Sequence, residues 1–499
     1  MSKEIQTTST PAPDLSLVGS RYRQDVIDLF DRWGSVRVRN ATLRGYVEMK
    51  NRTKDLGISI PPDLVNINTV VGWADKAMRV RAVRSKFQGF VFEGEQDKRL
   101  DMLVRRNRLA STYSKACRSA LTYGCSALTV MRGVGRRQPP IMVRSFSPNQ
   151  SVMLWDKSVE GIACGICVVG VDRLGVANRY VLHEPDAVVT FAREESGEWS
   201  CVAEPHKMGR PLMEPLVHDA DDDRPLGHSV ITPEVTGIID KAMRDVLRME
   251  VGAEFFTAPQ RYILGADPAL FDPADWVSEQ EEADGADEEE PDDDAPTEPA
   301  HQADPQRMMR AYLGMFLALT RDSEGNVPQV GQFPAGDAGN FIAVFENDAQ
   351  RFSGATNVPL GQLGVLSNTY TSSDALGAAN DPLILEVEHM NVRNGEAMEE
   401  VARMMLAIDR GIAYDELPDR EMGVMAQFMD PAQPTISATA DAWTKIGGAD
   451  NSLIGTRVWY EGLGLSKATI DRIMAAREAQ RSTVGTLQII AEAMGAGGE

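Results

Sequence analysis

Apolar residues recur at helical spacing in the N-terminal part of the chain. Between residues 20 and 49 they fall three or four positions apart and predict a first helix, through Tyr22, Val26, Leu29, Phe30 and Trp33. The same spacing predicts a helix over 66–84 and another over 99–123 that ends at Gly124. The run KFQGFVFEG between them reads as a short strand.

The period changes to two between residues 126 and 217. The runs SALTVMRG, PPIMVRSFSP, SVMLWD, GIACGICVVG, NRYVLHEPDAVVTFAR and EWSCVAEP are separated by Gly, Pro, Asp and Asn at hairpin-like intervals. This pattern predicts a largely antiparallel sheet set inside a chain that begins and ends helical.

Helical spacing returns after Pro233, with Thr232 as the expected N-cap. The apolar stripe of this helix consists of Val235, Ile238, Ile239, Ala242, Met243 and Val246.

A further helix is expected over 339–353, and a loop rich in Gly, Ser and Thr over 359–373. A long helix then follows over 374–408, where Pro382 should introduce a kink because proline lacks an N–H and clashes with the preceding turn. Two or three helices are expected near the C-terminus, the clearest from Ser466.

Composition excludes several classes of protein. The chain has 499 residues, 43% of them hydrophobic and 25% charged, which excludes a fully disordered chain. The longest apolar stretch, 162–171, is about half the ~20 residues that cross a bilayer, so no membrane span is expected. The start lacks the apolar core of a secretory signal, and five cysteines are few and odd in number. A cytoplasmic origin with free thiols is therefore expected.

The net charge of −22 is unevenly distributed. Residues 21–144 contain 25 basic and 11 acidic side chains, whereas 275–304 contain 14 acids and no Lys or Arg. The acidic insert is expected to be disordered, as a tolerated loop insertion or as a tail for a basic partner, and we favour the insertion. A chain this acidic is poorly suited to grip DNA, because tight binding depends on cations that neutralise phosphates. It could still line a passage for DNA.

The chain shows no phosphate-binding GxxxxGK[ST] loop, no GxSxG and no HExxH, so no catalytic residue and no cofactor are expected. Its clearest metal-like run contains His218, Asp221 and Asp223, hard ligands suited to Mg²⁺ or Ca²⁺. A metal-dependent enzyme is the alternative that this run leaves open, although a solvated loop without metal is favoured. Cys164 and Cys167 have the spacing of half a zinc or redox site, but they lie in a strand-like run and are expected to be buried there.

Three stretches together resemble the portal proteins of tailed double-stranded DNA bacteriophages, of the siphophage type. The first, over 99–148, has a helix followed by ACRSALTYGCSALTV and IMVRSFSP; the second, over 215–265, has a loop, a long helix and APQRYILG. The third, over 352–408, has SGATNVPLGQLG, a Ser/Thr loop and the kinked helix. Each stretch alone is weak evidence, and the resemblance depends on all three occurring in the order found in that family.

The resemblance implies an α+β, mixed portal-type fold with a helical and antiparallel-β wing, long stem helices, a small mixed clip, a long kinked helix and a helical C-terminal crown. The implied parts are a flexible arm (1–19), the wing (20–230), a stem helix (231–257), the clip with the disordered acidic insert (258–338, insert 275–304), a second stem helix (339–358), a tunnel loop (359–373), the kinked wing helix (374–410) and the crown (411–499). The acidic insert departs from the family at the clip.

The resemblance also implies a function and partners. The chain would form a ring, typically of twelve copies, at one capsid vertex of the virion, after assembly in the host cytoplasm. Terminase would package DNA through the channel, a head-tail adaptor would dock later, and the major capsid or scaffolding protein would surround the ring. The tunnel loop would face DNA through Leu360, Gly361, Gln362, Leu363, Gly364, Val365, Leu366, Asn368, Thr369 and Tyr370. The stripe after Pro233 would contact neighbouring subunits. Another head-tail adaptor protein is a further alternative.

Overall fold

The computed structural model describes residues 9–51, 69–92, 97–133, 135, 137–194, 196–257, 261–264, 329–332, 338–365, 373–432, 436–465 and 468–480. The chain divides into two compact units. The first comprises Met1–Asn51, Val71–Ile239 and Gln350–Glu499, and the second comprises Arg52–Val70 and Asp240–Ala349. The acidic insert 275–304 lies outside the described residues.

The helices are numbered in chain order. They are α1 (Arg23–Val47), α2 (Trp73–Arg84), α3 (Lys98–Asn107), α4 (Leu109–Tyr123), α5 (Pro233–Thr257), α6 (Ala338–Thr356), α7 (Ser373–Arg410), α8 (Asp419–Met422), α9 (Ile436–Ala449), α10 (Arg457–Gly462) and α11 (468–480). Short 3₁₀ turns cover Leu360–Gln362 and Tyr414–Glu416.

The strands are likewise numbered in chain order. They are β1 (Phe87–Phe92), β2 (Cys125–Arg132), β3 (Ile141–Phe146), β4 (Ser151–Asp156), β5 (Gly161–Val171), β6 (Ala177–His183), β7 (Ala187–Arg193), β8 (Trp199–Pro205), β9 (Met213–Val217), β10 (Arg261–Leu264), β11 (Gln329–Gln332) and β12 (Val424–Phe428). The protein is thus a mixture of helices and antiparallel sheets, as expected.

The antiparallel region forms two sheets in the first unit. Strands β4 to β8 make a five-stranded meander in sequence order, and β3, β2 and β9 make a three-stranded sheet. One face of the meander packs on Val26, Leu29 and Trp33 of α1, and the other packs on the three-stranded sheet. Neighbouring residues on one strand alternate between these faces, as Tyr180 and Val181 do. The period of two in the sequence therefore reflects a sheet covered on both sides.

The alternation also places the two cysteines of β5 apart. Cys164 faces the α1 side of the meander and Cys167 faces the three-stranded sheet. Burial raises the pKa of the Cys167 thiol to about 12. The predicted role of this pair as buried strand residues is confirmed.

The long helices follow the sequence pattern closely. The Oγ1 atom of Thr232 accepts a hydrogen bond from the backbone N of Val235 at 3.3 Å, so the expected N-cap of α5 is formed, and Pro233 is its first residue. The predicted apolar stripe of α7 is buried, from Leu383 to Ile408. Helix α7 includes Pro382, and the kink at this proline stays a prediction.

The segment expected as one helix over 99–123 consists of two. Helix α3 ends at Asn107, and Arg108 adopts a left-handed conformation with φ of 50° before α4 begins. The Asn107 side chain donates to the carbonyl oxygens of Leu103 and Ile141 and accepts from the N–H of Val143. Asn107 therefore attaches the break to β3, a tertiary contact that the apolar spacing does not reveal.

A strand near the C-terminus completes the packing around β1. Strand β12, which the apolar pattern did not predict, pairs antiparallel with β1 in the register Phe92 to Val424. Rings on both strands meet there, since Phe87 and Phe428 have centroids 5.7 Å apart. In the second unit, β10 and β11 form a separate two-stranded antiparallel sheet.

A buried acid beside α1 predicts a pH dependence of stability. Glu184, between β6 and β7, is 5% exposed, and burial together with the charges of Asp25 and Asp186 raises its pKa to about 8. The folded state thus holds a proton on Glu184 that the unfolded state loses at lower pH. Its contribution to stability is full below the usual carboxyl pKa and is lost as pH rises through about 8.

We therefore expect Glu184→Gln to be more stable than the unsubstituted chain at pH 9, by about 1–2 kcal/mol in the free energy of unfolding, and to unfold at a higher temperature. Near pH 4.5 the two chains should be equally stable. Thermal unfolding followed by circular dichroism over this pH range measures the difference. Glu198→Gln, at an exposed glutamate just before β8, is the matched control. Equal shifts at both pH values would contradict a titrating Glu184.

Candidate functional site

The predicted tunnel loop starts where α6 ends. Asn357 takes a left-handed conformation with φ of 51°, which stops α6 after Thr356, and the turn Leu360–Gln362 follows Pro359. Gly364 is also left-handed, with φ of 82°. The structure therefore shows a turn-forming backbone over 357–365, at the start of the loop.

Arg81 on α2 joins the two sides of this loop. Its Nη2 atom donates to the carbonyl oxygen of Thr356 at 2.5 Å, and its Nε and Nη2 atoms donate to the two carboxylate oxygens of Glu386 on α7 at 2.6 and 2.8 Å. Arg81 is only 3% exposed. A bidentate guanidinium–carboxylate pair of this kind is geometrically specific. It holds the C-terminal end of α6 next to α7.

A second set of contacts lies nearer the loop. Arg84 donates to the Asn380 side-chain oxygen at 3.2 Å and to the carbonyl oxygen of Pro431 at 2.9 Å. The same Asn380 oxygen accepts from the Gln362 side-chain amide at 3.4 Å. We call Arg81, Arg84, Asn380 and Glu386 the loop clamp.

A buried polar network fixes α7 beside the loop clamp. The Ser85 hydroxyl donates to Asn391 at 2.5 Å and lies 2.5 Å from the Tyr113 hydroxyl, which accepts from the Asn394 amide at 2.7 Å. All four side chains are buried. Because a satisfied buried network is costly to disrupt, it holds α2, α4 and α7 in one arrangement.

The expected DNA-facing residues are only partly described. Leu360, Gly361, Gln362, Leu363, Gly364 and Val365 lie together in the turn after Pro359, where none of them is buried. Leu366, Asn368, Thr369 and Tyr370 lie outside the described residues. The role of the whole set stays a prediction.

The expected subunit-contact residues form one stripe on α5, as their spacing predicts. Val235, Ile238, Ile239, Ala242 and Met243 are buried within the chain, whereas Val246 is half-buried. Contact of this stripe with a neighbouring subunit stays a prediction. On α6 two large apolar side chains are exposed, Ile342 and Val344.

Within the second unit, Lys241 joins α5 to α6. Its Nζ atom lies 2.7 Å from both carboxylate oxygens of Asp348 and 2.8 Å from Asp245 on its own helix. Both acids are buried, Asp348 completely. Although desolvation lowers the pKa of Lys241, its hydrogen bonds to the two acids raise it above the ordinary value. Lys241 therefore compensates two buried carboxylates.

The run proposed as a metal site is arranged as a hydrogen-bonded turn. The Asp221 carboxylate accepts from the backbone N–H groups of Asp223 and Arg224, and an imidazole nitrogen of His218 lies 2.9 Å from the His228 carbonyl oxygen. Burial lowers the pKa of His218. Among the residues that the structure describes, no three His, Cys, Asp or Glu side chains are grouped so as to hold a metal ion. The metal-dependent alternative therefore finds no geometric support there.

The described helices also include none that is both long and apolar enough for a membrane span.

The loop clamp was not predicted from the sequence. Arg81 and Arg84 are three residues apart in a helix rich in basic residues, which reads as a solvated surface. The only available signal was that Arg81 falls on the same helical face as Ala74, Ala77 and Met78. A cation on an apolar stripe indicates a buried ion pair, but the sequence does not name its partner.

Comparison with known proteins gives agreeing results. Residues 37–452 match the family described as phage portal protein, SPP1 Gp6-like. The portal protein of Mycobacterium phage D29 is 26% identical over 431 residues, covering 85% of this chain and 82% of the relative. That of Mycobacterium phage L5 is 25% identical over 440 residues, covering 87% and 83%.

Solved structures from gene transfer agent particles are also similar. A chain from the neck of an empty particle has 13% identity and a TM-score of 0.42, covering 84% of this chain and 97% of its own length. A chain from the native virion has 14% identity and a TM-score of 0.40, covering 85% and 99%. At these TM-scores the structural likeness adds no argument, and the assignment depends on the sequence match over most of the chain. On that match, the chain belongs to the SPP1 Gp6-like family of phage portal proteins and has a portal function in the virion.

Proposed function

We propose that the chain is one subunit of a ring of about twelve copies at one capsid vertex, through which terminase packages DNA and from which DNA is later ejected. The observation that carries this proposal is the family match over residues 37–452. A head-tail adaptor and the major capsid or scaffolding protein are the further partners. Electron microscopy of the purified chain should show rings with a central hole; monomers or dimers at every concentration tested would contradict the ring.

Within the ring, we assign residues 20–230 to the wing, 231–257 and 339–358 to the stem, 258–338 to the clip, 374–410 to the long wing helix and 411–499 to the crown. Stem helices of adjacent copies would meet in a heterologous contact, and repeating this contact around one axis would close the ring. Five residues of the stripe from Val235 to Val246 are buried within the chain, so α5 remains our candidate for this contact through its half-buried Val246. On α6, the exposed Ile342 and Val344 offer further apolar surface for a neighbouring copy.

Segment 359–373 is the proposed DNA-facing part. Residues 357–373 contain no charged side chain, in a chain with a net charge of −22. A neutral loop neither repels phosphates nor binds them through counterion release, so it suits a surface past which DNA slides. The loop clamp supports this role, because it holds the end of α6, where the loop begins, to α2 and α7. Of the loop itself it contacts Gln362, while none of Leu360 to Val365 is buried.

Two glycines of the loop form a matched pair for a test. Gly364 has φ of 82°, where a side chain is strained, although no atom lies within 4 Å of an added Cβ. Gly361 has ordinary φ and the same open surroundings. Gly364→Ala should therefore cost about 1 kcal/mol locally and change the path of the loop, whereas Gly361→Ala should be tolerated.

We expect Gly364→Ala to form rings in normal yield but to give several-fold fewer DNA-filled particles when it complements a phage that lacks its own portal gene. Gly361→Ala should resemble the unsubstituted chain. The readouts are ring yield by electron microscopy and DNA content per particle. Unchanged DNA content in both single variants and in the double variant would remove the loop from contact with DNA, without affecting the ring proposal.

A further inference from the structure

A groove in the first unit has features that the portal function does not use. It has a volume of about 720 Å³ and runs between α1, β4 and the turn over 223–227. We call it the basic groove. Its cationic rim consists of Arg32, Arg39, Lys157 and Arg224. Its floor includes half-buried apolar side chains such as Val36 and Trp155.

The rim charges are largely uncompensated. Arg39 donates to the carbonyl oxygen of Tyr123 at 3.2 Å. Within the part of the chain that the structure describes, no carboxylate forms an ion pair with Arg32, Lys157 or Arg224, all of which are exposed. Two acids, Asp156 and Asp223, also line the groove. Four cations against two acids make this groove locally positive in a strongly acidic protein.

The groove also contains an unsatisfied donor. Asn40 is 2% exposed and lines the groove, and its Nδ2 atom has no hydrogen-bond partner among the described residues. Buried amide donors without a partner are rare in native proteins, so an acceptor on a bound molecule would satisfy it. This observation is independent of the charges on the rim.

We propose that the basic groove docks a short acidic segment of a partner protein that carries an apolar side chain. The rim receives the carboxylates, the Trp155 side of the floor receives the apolar side chain, and Asn40 donates to a backbone carbonyl of the segment. The volume lies in the range of ligand pockets and accommodates a few residues of extended chain. A DNA duplex fits less well, because its bases are stacked inside and its phosphate backbone offers nothing for the apolar floor. The proposal goes beyond the portal function and does not depend on the DNA-facing loop.

Fluorescence anisotropy tests the proposal with the full-length chain. The probe is a fluorescein-labelled peptide in which Glu alternates with Leu and Trp, and its partner probe has Gln in place of every Glu. We expect the Glu probe to bind at least about tenfold more tightly than the Gln probe at low salt, with a difference that shrinks at high salt. The double variant Arg32→Ser/Arg224→Ser should abolish the difference. Lys115→Ser/Arg173→Ser removes two exposed charges elsewhere on the same unit and should leave it unchanged.

Asn40→Leu tests the donor directly, because it keeps roughly the size of the side chain, removes the N–H groups and adds no charge. It should weaken the Glu and Gln probes alike, by several-fold, with folding checked by circular dichroism. Equal binding of the two probes, or equal effects of the two double variants, would overturn the proposal. Tighter binding of a DNA duplex than of the Glu probe, lost on the same rim substitutions, would reassign the groove to nucleic acid. A change in ring assembly without a change in probe affinity would reassign it to a neighbouring copy.

Discussion

Replacing Arg81 with Met is expected to lower the free energy of unfolding of the first unit by about 2–3 kcal/mol. The substitution keeps the apolar stem of the side chain but leaves the Glu386 carboxylate and the Thr356 carbonyl oxygen without their guanidinium partner. The Glu386 side chain is 30% exposed and keeps some contact with water, so the loss is smaller than for a fully buried ion pair. The buried Thr356 carbonyl oxygen adds to the loss, because it is left without a donor. Thermal and denaturant unfolding measure the loss.

The same substitution should expose the loop to protease. Once the clamp is broken, the end of α6 is no longer tied to α7, so we expect faster cleavage after residue 356 under native conditions. Arg79→Met is the matched control. Arg79 lies on the same helix and is exposed, and its partner Asp75 keeps a second cation, Arg118, at 3.8 Å, so this substitution should cost less than about 1 kcal/mol. If Arg81→Met and Arg79→Met behave alike in both assays, the clamp does not hold the loop.

Replacing Lys241 with Met should have a comparable effect on the second unit, about 3 kcal/mol. Two buried carboxylates, Asp245 and Asp348, would then lie near one another without this cation, although Arg248 still contacts Asp245 at 3.0 Å. Adding Asp348→Asn should recover part of the loss, because it removes the completely buried charge.

Denaturant unfolding of the two single variants and the double variant gives the coupling energy for Lys241 and Asp348. Lys445→Met is the control, because Lys445 pairs with Asp441 on an exposed helix face. A double variant less stable than Lys241→Met alone would mean that Asp348 stabilises α6 by some other contact.

Local rules predict the long helices well. The start of α5 follows from Thr232 and Pro233, whose capping roles depend only on neighbouring residues, and its stripe follows from a period that burial imposes. Alternation predicts β2 to β8 for the same reason. By contrast, the break at Arg108 depends on contacts of Asn107 with β3, and β12 depends on a partner far away in the chain.

The candidate site likewise contains one part that local sequence signals predict and another that depends on contacts between distant residues. The turn-forming start of the loop, over 357–365, could be predicted from the sequence because its glycines and Pro359 are a local signal. The loop clamp could not be predicted, because Arg81 and Glu386 are 305 residues apart and each reads locally as a surface charge. The family resemblance predicts an order of parts, which stays a prediction, whereas the ion pairs between distant residues required coordinates.

The pairing of β1 with β12 has a consequence for the synthesis of the chain. About 330 residues separate the two strands, so at ribosomal rates of about 5–20 residues per second β1 waits roughly 20–60 s for its partner. During that time Phe87, Phe90 and Phe92 belong to an open strand edge, the kind of surface that chaperones protect from aggregation. Nascent subunits therefore cannot complete this part of the fold, or present it to any assembly, until translation has passed Phe428.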